Sequence, residues 1–206
     1  MVRLKFVFVG NGGSGKTCFL IRASKGTMPE IYAPTIFENY ITNFEVDGKR
    51  VETELWDTAG QEDWDRVRPL SYPDTDAFFI CFGIDDPYSL ENVLDKWNPE
   101  VLQFGLNKPI FLLGLKSDLR FDAGTMSKLL KYRQHPVSRA EAEEVAGKIR
   151  AVRYMECSAK SGEGITEIFA AAVRVALEQG AQPRKSSKTQ KKGLRARLFK
   201  SVDEPL

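Results

Sequence analysis

A chain of 206 residues, 42% hydrophobic and 28% charged, fits one globular domain with some length left over, and no stretch approaches the 18 apolar residues that would span a membrane. Three cysteines, Cys18, Cys81 and Cys157, are too few and too scattered for a disulfide framework or a zinc site, and point to a reducing compartment. The net charge of +2 conceals an asymmetry: residues 184–206 carry eight Lys/Arg against Asp203 and Glu204, which leaves 22 basic and 26 acidic residues, a net −4, in residues 1–183.

The start, Met1 to Val9, imitates a signal peptide. Its apolar run is short and ends in a glycine loop without a small-residue cleavage pattern, so Leu4 to Val9 reads as a first strand. Lys16 to Lys25 follows the loop as a helix, with Cys18, Phe19 and Ile21 on its apolar positions and Gly26 to end it. From Glu38 to Asp57, two β-rich segments flank Asp47-Gly48, a dipeptide suited to a tight hairpin. Ala77 to Ile84, Ile110 to Gly114 and Tyr154 to Cys157 are short apolar runs separated by helix-length segments, the alternation of a parallel sheet. Ser138-Arg139-Ala140-Glu141 is a capping box, and Ile165, Ile168, Phe169, Ala172 and Ala176 form one apolar stripe expected to face the sheet. Beyond Gly180 the chain lacks apolar residues to bury and is expected to be a disordered basic tail.

Three groups of residues carry chemistry. Gly10-Asn11-Gly12-Gly13-Ser14-Gly15-Lys16-Thr17 fits G-x-x-x-x-G-K-[ST], in which glycines let main-chain N–H groups surround phosphates at a positive helix N-terminus. Lys16 would pair the β- and γ-phosphates, and the Thr17 hydroxyl would reach Mg²⁺. Asp57-Thr58-Ala59-Gly60-Gln61 follows a strand, placing an acid to orient a Mg²⁺-bound water, a glycine N–H beside the γ-phosphate, and Gln61 to position the attacking water. Leu115-Lys116-Ser117-Asp118 and Ser158-Ala159-Lys160 leave strands at the carboxyl edge, where ligands bind in such sheets. A carboxylate only accepts hydrogen bonds, so Asp118 suits the N1–H and 2-amino group of guanine, which adenine lacks.

With these motifs in place, the chain resembles a Rho/Rac-family small GTPase of the Ras superfamily over roughly residues 3–178. The longest matches are Trp56 to Asp63, Arg68-Pro69-Leu70-Ser71-Tyr72-Pro73-Asp74-Thr75-Asp76 and Tyr154 to Lys160. The resemblance implies an α/β P-loop NTPase fold: a six-stranded, mostly parallel sheet with one antiparallel edge strand, helices on both faces, and a Rho-type helical insert at about 121–136. The GTPase domain would cover 1–179, and the basic tail 180–206. It implies nucleotide contacts from Gly10 through Cys18 and from Met28, Tyr32, Thr35, Asp57, Gly60, Lys116, Asp118, Leu119, Ser158, Ala159 and Lys160. Thr17, Thr35 and, through water, Asp57 would hold Mg²⁺, while Gln61, Lys16, Gly12 and Gly60 would carry hydrolysis. Tyr32 to Tyr40 becomes a first switch and Gly60 to Tyr72 a second, with Tyr32, Pro34, Thr35, Phe37, Asn39, Tyr40, Trp64, Arg66 and Leu70 meeting partners. Those partners are Rho-type exchange factors, activating proteins and effectors, on a monomer that signals to the cytoskeleton or cell polarity and has no specific nucleic-acid partner.

The sequence departs from the family at several positions. Met28 stands where a phenylalanine usually packs on the guanine edge, and Gly13-Ser14 replaces the usual Ala-Val pair, so unusually fast nucleotide exchange is expected. That opens a rival reading, a mostly GTP-loaded scaffold with little hydrolysis. An adenine-nucleotide kinase is disfavoured by Asp118 and a missing substrate lid. Leu115 replaces a polar residue and loses one tether between loops, and Trp64 replaces a tyrosine. The sequence ends Asp203-Glu204-Pro205-Leu206 without a prenylation cysteine, and Val2 excludes myristoylation. A cytoplasmic protein is therefore expected, peripheral on the inner plasma membrane through residues 184–200, whose basic side chains would each contribute about 1 kcal/mol near anionic lipid.

Overall fold

In the computed structural model, residues 2–28, 37–104 and 108–180 are described. The central strand β1, Val2–Gly10, is buried from Leu4 onward, as a strand covered on both faces must be. It begins two residues earlier than its apolar run. Val2 and Arg3 pair with Val51 and Glu52, and the charged Arg3 is held at this edge by ion pairs to Glu52 and Glu54.

Strand order is β2-β3-β1-β4-β5-β6, with β2 Phe37–Val46, β3 Lys49–Thr58, β4 Ala77–Gly83, β5 Ile110–Leu115 and β6 Arg153–Cys157. Only β2 runs antiparallel, against β3. The β2–β3 turn takes φ 51° at Asp47 and 72° at Gly48, the double left-handed geometry of the hairpin turn that matches strand twist. The sheet is thus the expected one, six strands with an antiparallel edge.

Helices cover both faces. On one side α1, Lys16–Lys25, and α6, Ile165–Glu178, close a core running through Leu4, Phe6, Phe8, Phe79 and Phe111. A chain of phenylalanines crosses this core: Phe44 stacks on Phe169 (4.5 Å between centroids), Phe169 on Phe19 (5.4 Å), Phe19 tilts against Phe8 (5.8 Å), Phe8 stacks on Phe79 (4.4 Å), and Phe79 on Phe111 (5.1 Å). Each fully buried ring contributes about 1.5–3 kcal/mol through burial.

The other face is closed by α2, Pro87–Asn92, α3, Asn98–Phe104, and α5, Arg139–Lys148. A π-helical turn, Val93–Trp97, joins α2 to α3, an irregularity frequent near functional sites and absent from the sequence reading. The capping box at Ser138 and Glu141 forms in both directions. In the insert, α4, Ala123–Leu130, is capped by Asp122, whose carboxylate accepts from the Thr125 N–H. Among the described residues no helix is long and apolar enough to cross a membrane. The tail from residue 181 lies outside the described residues.

Candidate functional site

The parallel strands end at one edge, and the loops that leave it carry the motif residues. The first, between β1 and α1, is shaped by glycines that have no alternative. At Gly10 (φ 146°) an added Cβ would sit 2.1 Å from the Cys81 carbonyl oxygen. Gly15 caps α1 at φ 105°. Gly13 takes φ 77° with open space, among the described residues, where a side chain would go, so any side chain there would be strained in this conformation.

Lys16 is buried, and its Nζ donates to the carbonyls of Gly10 (2.7 Å) and Asn11 (2.9 Å). Burial is the main cause lowering its pKa, opposed by the nearby Asp57 carboxylate. A buried ammonium at a helix N-terminus is a site that an anion would relieve. Thr17 is half-buried in the first turn.

The second loop lies directly on the first. Asp57, at the end of β3, is fully buried, and the Thr58 hydroxyl donates to the Phe8 carbonyl at 2.7 Å. A Cβ on Gly60 would lie 2.3 Å from the Gly12 nitrogen and 2.4 Å from the Gly10 oxygen, so this close main-chain contact requires glycine. One on Gly12 would meet the Gln61 Cγ at 3.8 Å, which sets the Gln61 side chain over Gly12.

The remaining loops close the far end. Asp118 accepts from the buried Ser158 hydroxyl at 2.6 Å. Ser158 Oγ also accepts from the Ser161 N–H (3.1 Å), fixing the loop that carries half-buried Ala159 and exposed Lys160. Leu119, half-buried, donates its N–H to the Lys116 carbonyl at 2.9 Å. Arg120 ties the two loops with a fork on Glu156 (2.6 and 2.9 Å) and donates to the Val137 carbonyl. Lys116 Nζ reaches Asp85 Oδ2 at 2.9 Å. Burial raises the pKa of the half-buried Cys18 thiol, with Lys116 acting in the opposite sense. Met28 is 43% exposed.

Of the expected partner-facing residues, Phe37 lies edge-on to Trp56 (5.2 Å between centroids), Tyr40 bonds Glu38, Trp64 is half-buried, and Asn39, Arg66 and Leu70 are exposed. Tyr32, Pro34 and Thr35 lie outside the described residues.

Sequence reading missed a set of supports beneath these loops. Arg68 is buried; it donates to the carbonyls of Ala59 (2.8 Å) and Gln61 (3.0 Å), pairs with Asp65 (2.6 Å) and Glu100 (2.7 Å), and lies over the Trp97 ring. Glu100 also accepts from Tyr72. On the other side, Asn11 Oδ1 accepts from Trp97 Nε1 (2.7 Å) and Asn92 Nδ2 (3.2 Å). Asn11, Arg68 and Tyr72 lie within the matched motifs, but no local pattern shows these pairings, since the partners come from distant elements.

Comparison with known proteins agrees with this arrangement: the sequence model of the Ras family matches residues 5–178. The chain belongs to the Ras family. It is 54% identical over 187 residues to the GTP-binding protein RHO1 of Candida albicans, covering 91% of this chain and 94% of that protein. It is likewise 54% identical over 193 residues to the GTP-binding protein RHO1 of Eremothecium gossypii, covering 93% of each.

Proposed function

We propose that this chain is a Rho-like small GTPase, a switch that binds GTP and GDP, hydrolyses GTP to GDP and phosphate, and engages effectors in the GTP state. The observation that carries the reading is the seating of Gly60 on the main chain of Gly10 and Gly12 with Gln61 over Gly12. That contact holds a water-positioning side chain against the phosphate loop.

In this reading the N–H groups of residues 12–17 and Cys18 surround the phosphates. Lys16 leaves the loop carbonyls for the β- and γ-phosphate oxygens, a stronger counter-charge. The Gly60 N–H meets the γ-phosphate, and Gln61 orients the attacking water. Gly12 leaves room for an activating protein's arginine, which typically adds about 10³ to 10⁵ in rate. Asp118 reads guanine, with Lys116, Leu119, Ser158, Ala159 and Lys160 framing the base and Met28 at its edge.

The residues also suit Mg²⁺. Among the described residues no three His, Cys, Asp or Glu side chains gather as a metal cage. A fully buried Asp57 at the end of β3, with α1 packed near the same strand and Thr17 in its first turn, matches an ion that takes few protein ligands and completes its shell with phosphate and water. Thr17 and Thr35 would hold it directly and Asp57 through water, and the ion would neutralise charge developing on the phosphates.

Retention of Gln61 and Gly12 favours hydrolysis over a permanently GTP-loaded scaffold. Phe37, Asn39, Tyr40, Trp64, Arg66 and Leu70, with Tyr32, Pro34 and Thr35, form the face we assign to effectors, exchange factors and activating proteins. We assign residues 184–200 to anionic membrane; pelleting with anionic but not neutral liposomes, lost on deleting 184–206, is the result this requires. The GTPase reading is tested by single-turnover phosphate release. Slow GTP loss, accelerated by a Rho-type activating protein and abolished in Gln61→Leu with nucleotide still bound, is expected; no GTP loss under either condition overturns it.

A further inference from the structure

Asp85 is carried to the base loop by strand register. Gly83 pairs with Leu115 across β4 and β5, and the Ile84 N–H donates to the Leu115 carbonyl at 2.9 Å. The two residues that follow, Asp85 and Lys116, therefore emerge side by side at the carboxyl edge. They form an ion pair at 2.9 Å, with about a quarter of the Asp85 side chain and a third of the Lys116 side chain exposed.

The second carboxylate oxygen, Asp85 Oδ1, is buried and makes no hydrogen bond among the described residues. It is lodged against Gly83, where a Cβ would lie 2.6 Å from it. Lys116 is thus the hydrogen-bond partner that holds this carboxylate in place. A Cβ at Gly83 would also come within 3.7 Å of Ser14, so Asp85 stands at the junction of strand β4 and the phosphate loop.

Lys116 is itself constrained. Its backbone takes the left-handed conformation at φ 62°, uncommon for a residue with a side chain. Its methylene stem runs beside Gly15, since a Cβ there would meet Lys116 Cε at 3.5 Å and Cγ at 3.6 Å. Leu115, the preceding residue, is buried and apolar, and its side chain offers no polar tether to the phosphate loop.

We propose that Asp85 is a positioning residue for guanine-nucleotide retention. By holding Lys116 Nζ it fixes the lysine stem across Gly15, beside the apolar contact of Leu115 Cβ (3.8 Å from the same point), and couples the base loop to the phosphate loop. The carboxylate does not act as a repulsive charge on the nucleotide, because its outward oxygen is matched by the lysine and its other oxygen is turned into the fold. This inference rests on the guanine-nucleotide reading above.

The test is release of a fluorescent GDP from wild type, Asp85→Asn, Lys116→Met and the double variant, at low and high salt. Guanine nucleotide retained per chain, GDP plus GTP, after loading with GDP is measured first. Absence of any guanine nucleotide from wild type overturns the guanine-nucleotide reading and this inference with it, whereas guanine nucleotide bound normally leaves Asp85 alone under test. Asp85→Asn is expected to release GDP about two- to fivefold faster, the range for a partly exposed ion pair. The gap should narrow as salt screens the pair and vanish in the Lys116→Met background. Release from Asp85→Asn at the wild-type rate or slower overturns the proposal. So does equal acceleration with and without Lys116, which would show Asp85 acting on the fold alone.

Discussion

The indole Nε1 of Trp97 donates to Asn11 Oδ1 at 2.7 Å, joining the π-helical turn before α3 to the phosphate loop. The same ring lies beneath Arg68, which holds the carbonyls of Ala59 and Gln61. One buried side chain thus braces both the β1–α1 loop and the loop that follows β3.

Replacing Trp97 with phenylalanine keeps a ring under Arg68 and removes the N–H. Asn11 keeps its bond to Asn92, so the loss is partial. The expected destabilisation is about 1–3 kcal/mol, from one hydrogen bond and a smaller ring, read as a lower urea midpoint. An unchanged midpoint would show that the Asn11 contact contributes nothing.

Alanine should separate the roles of two glycines. Gly60→Ala places a methyl against main-chain atoms at 2.3 and 2.4 Å, whereas among the described residues Gly12→Ala meets only Gln61 Cγ at 3.8 Å. The first forces the loops apart, and a misplacement near 1 Å costs about 10²-fold in rate. Single-turnover hydrolysis should therefore fall far more in Gly60→Ala than the unfolding midpoint does, while Gly12→Ala folds like wild type. Equal hydrolysis by Gly60→Ala and wild type would break the link between this contact and catalysis.

Met28 should set how long nucleotide stays bound. Its side chain is substantially exposed, and a thioether is a more mobile platform for a base than a ring. A stacked aromatic contact is worth about 0.5–1.5 kcal/mol, so Met28→Phe should slow GDP release by about two- to tenfold. Identical release from both proteins would exclude Met28 as a cause of fast exchange.

Acid should act on the clamp between the base loops. Burial raises the Glu156 pKa, but the hydrogen bonds and charge of Arg120, with Tyr154, outweigh it, and the net effect is below the ordinary 4.5. A depressed carboxylate pKa contributes stability that is present above the unfolded value and lost as pH falls through the folded one. Wild type should therefore lose stability below about pH 4.5 more steeply than Glu156→Gln, as followed by urea midpoints at stepped pH. Parallel curves would mean that the Arg120–Glu156 fork does not stabilise the native state.

The parts legible in the sequence were those whose spacing is local. Gly10 to Thr17 declared a phosphate loop because the chemistry needs fixed intervals, and Asp47-Gly48 declared a hairpin because few dipeptides accept its backbone. Asp118 and Ser158 were each legible as loop residues, yet the 2.6 Å bond between them was not, being a product of the β5–β6 pairing. Asp85 was invisible for the same reason, since the β4–β5 register decides which residue faces Lys116. Trp97 carried no signal of its own, and only tertiary approach brought its N–H to Asn11. The return of Lys16 to the Gly10 and Asn11 carbonyls was likewise a property of the folded loop.

The run of phenylalanines through the core has a consequence for how motion is measured. Phe19 lies three residues beyond Lys16 on α1 and is packed between Phe8 and Phe169, so the helix that begins the phosphate site is fastened to the sheet and to the last helix at once. It serves as a fixed datum. A spectroscopic label paired between α1 and the β4–β5 end of the sheet should report the same distance in every nucleotide state, and a change in signal from a label near Gln61 can then be read as movement of that loop alone.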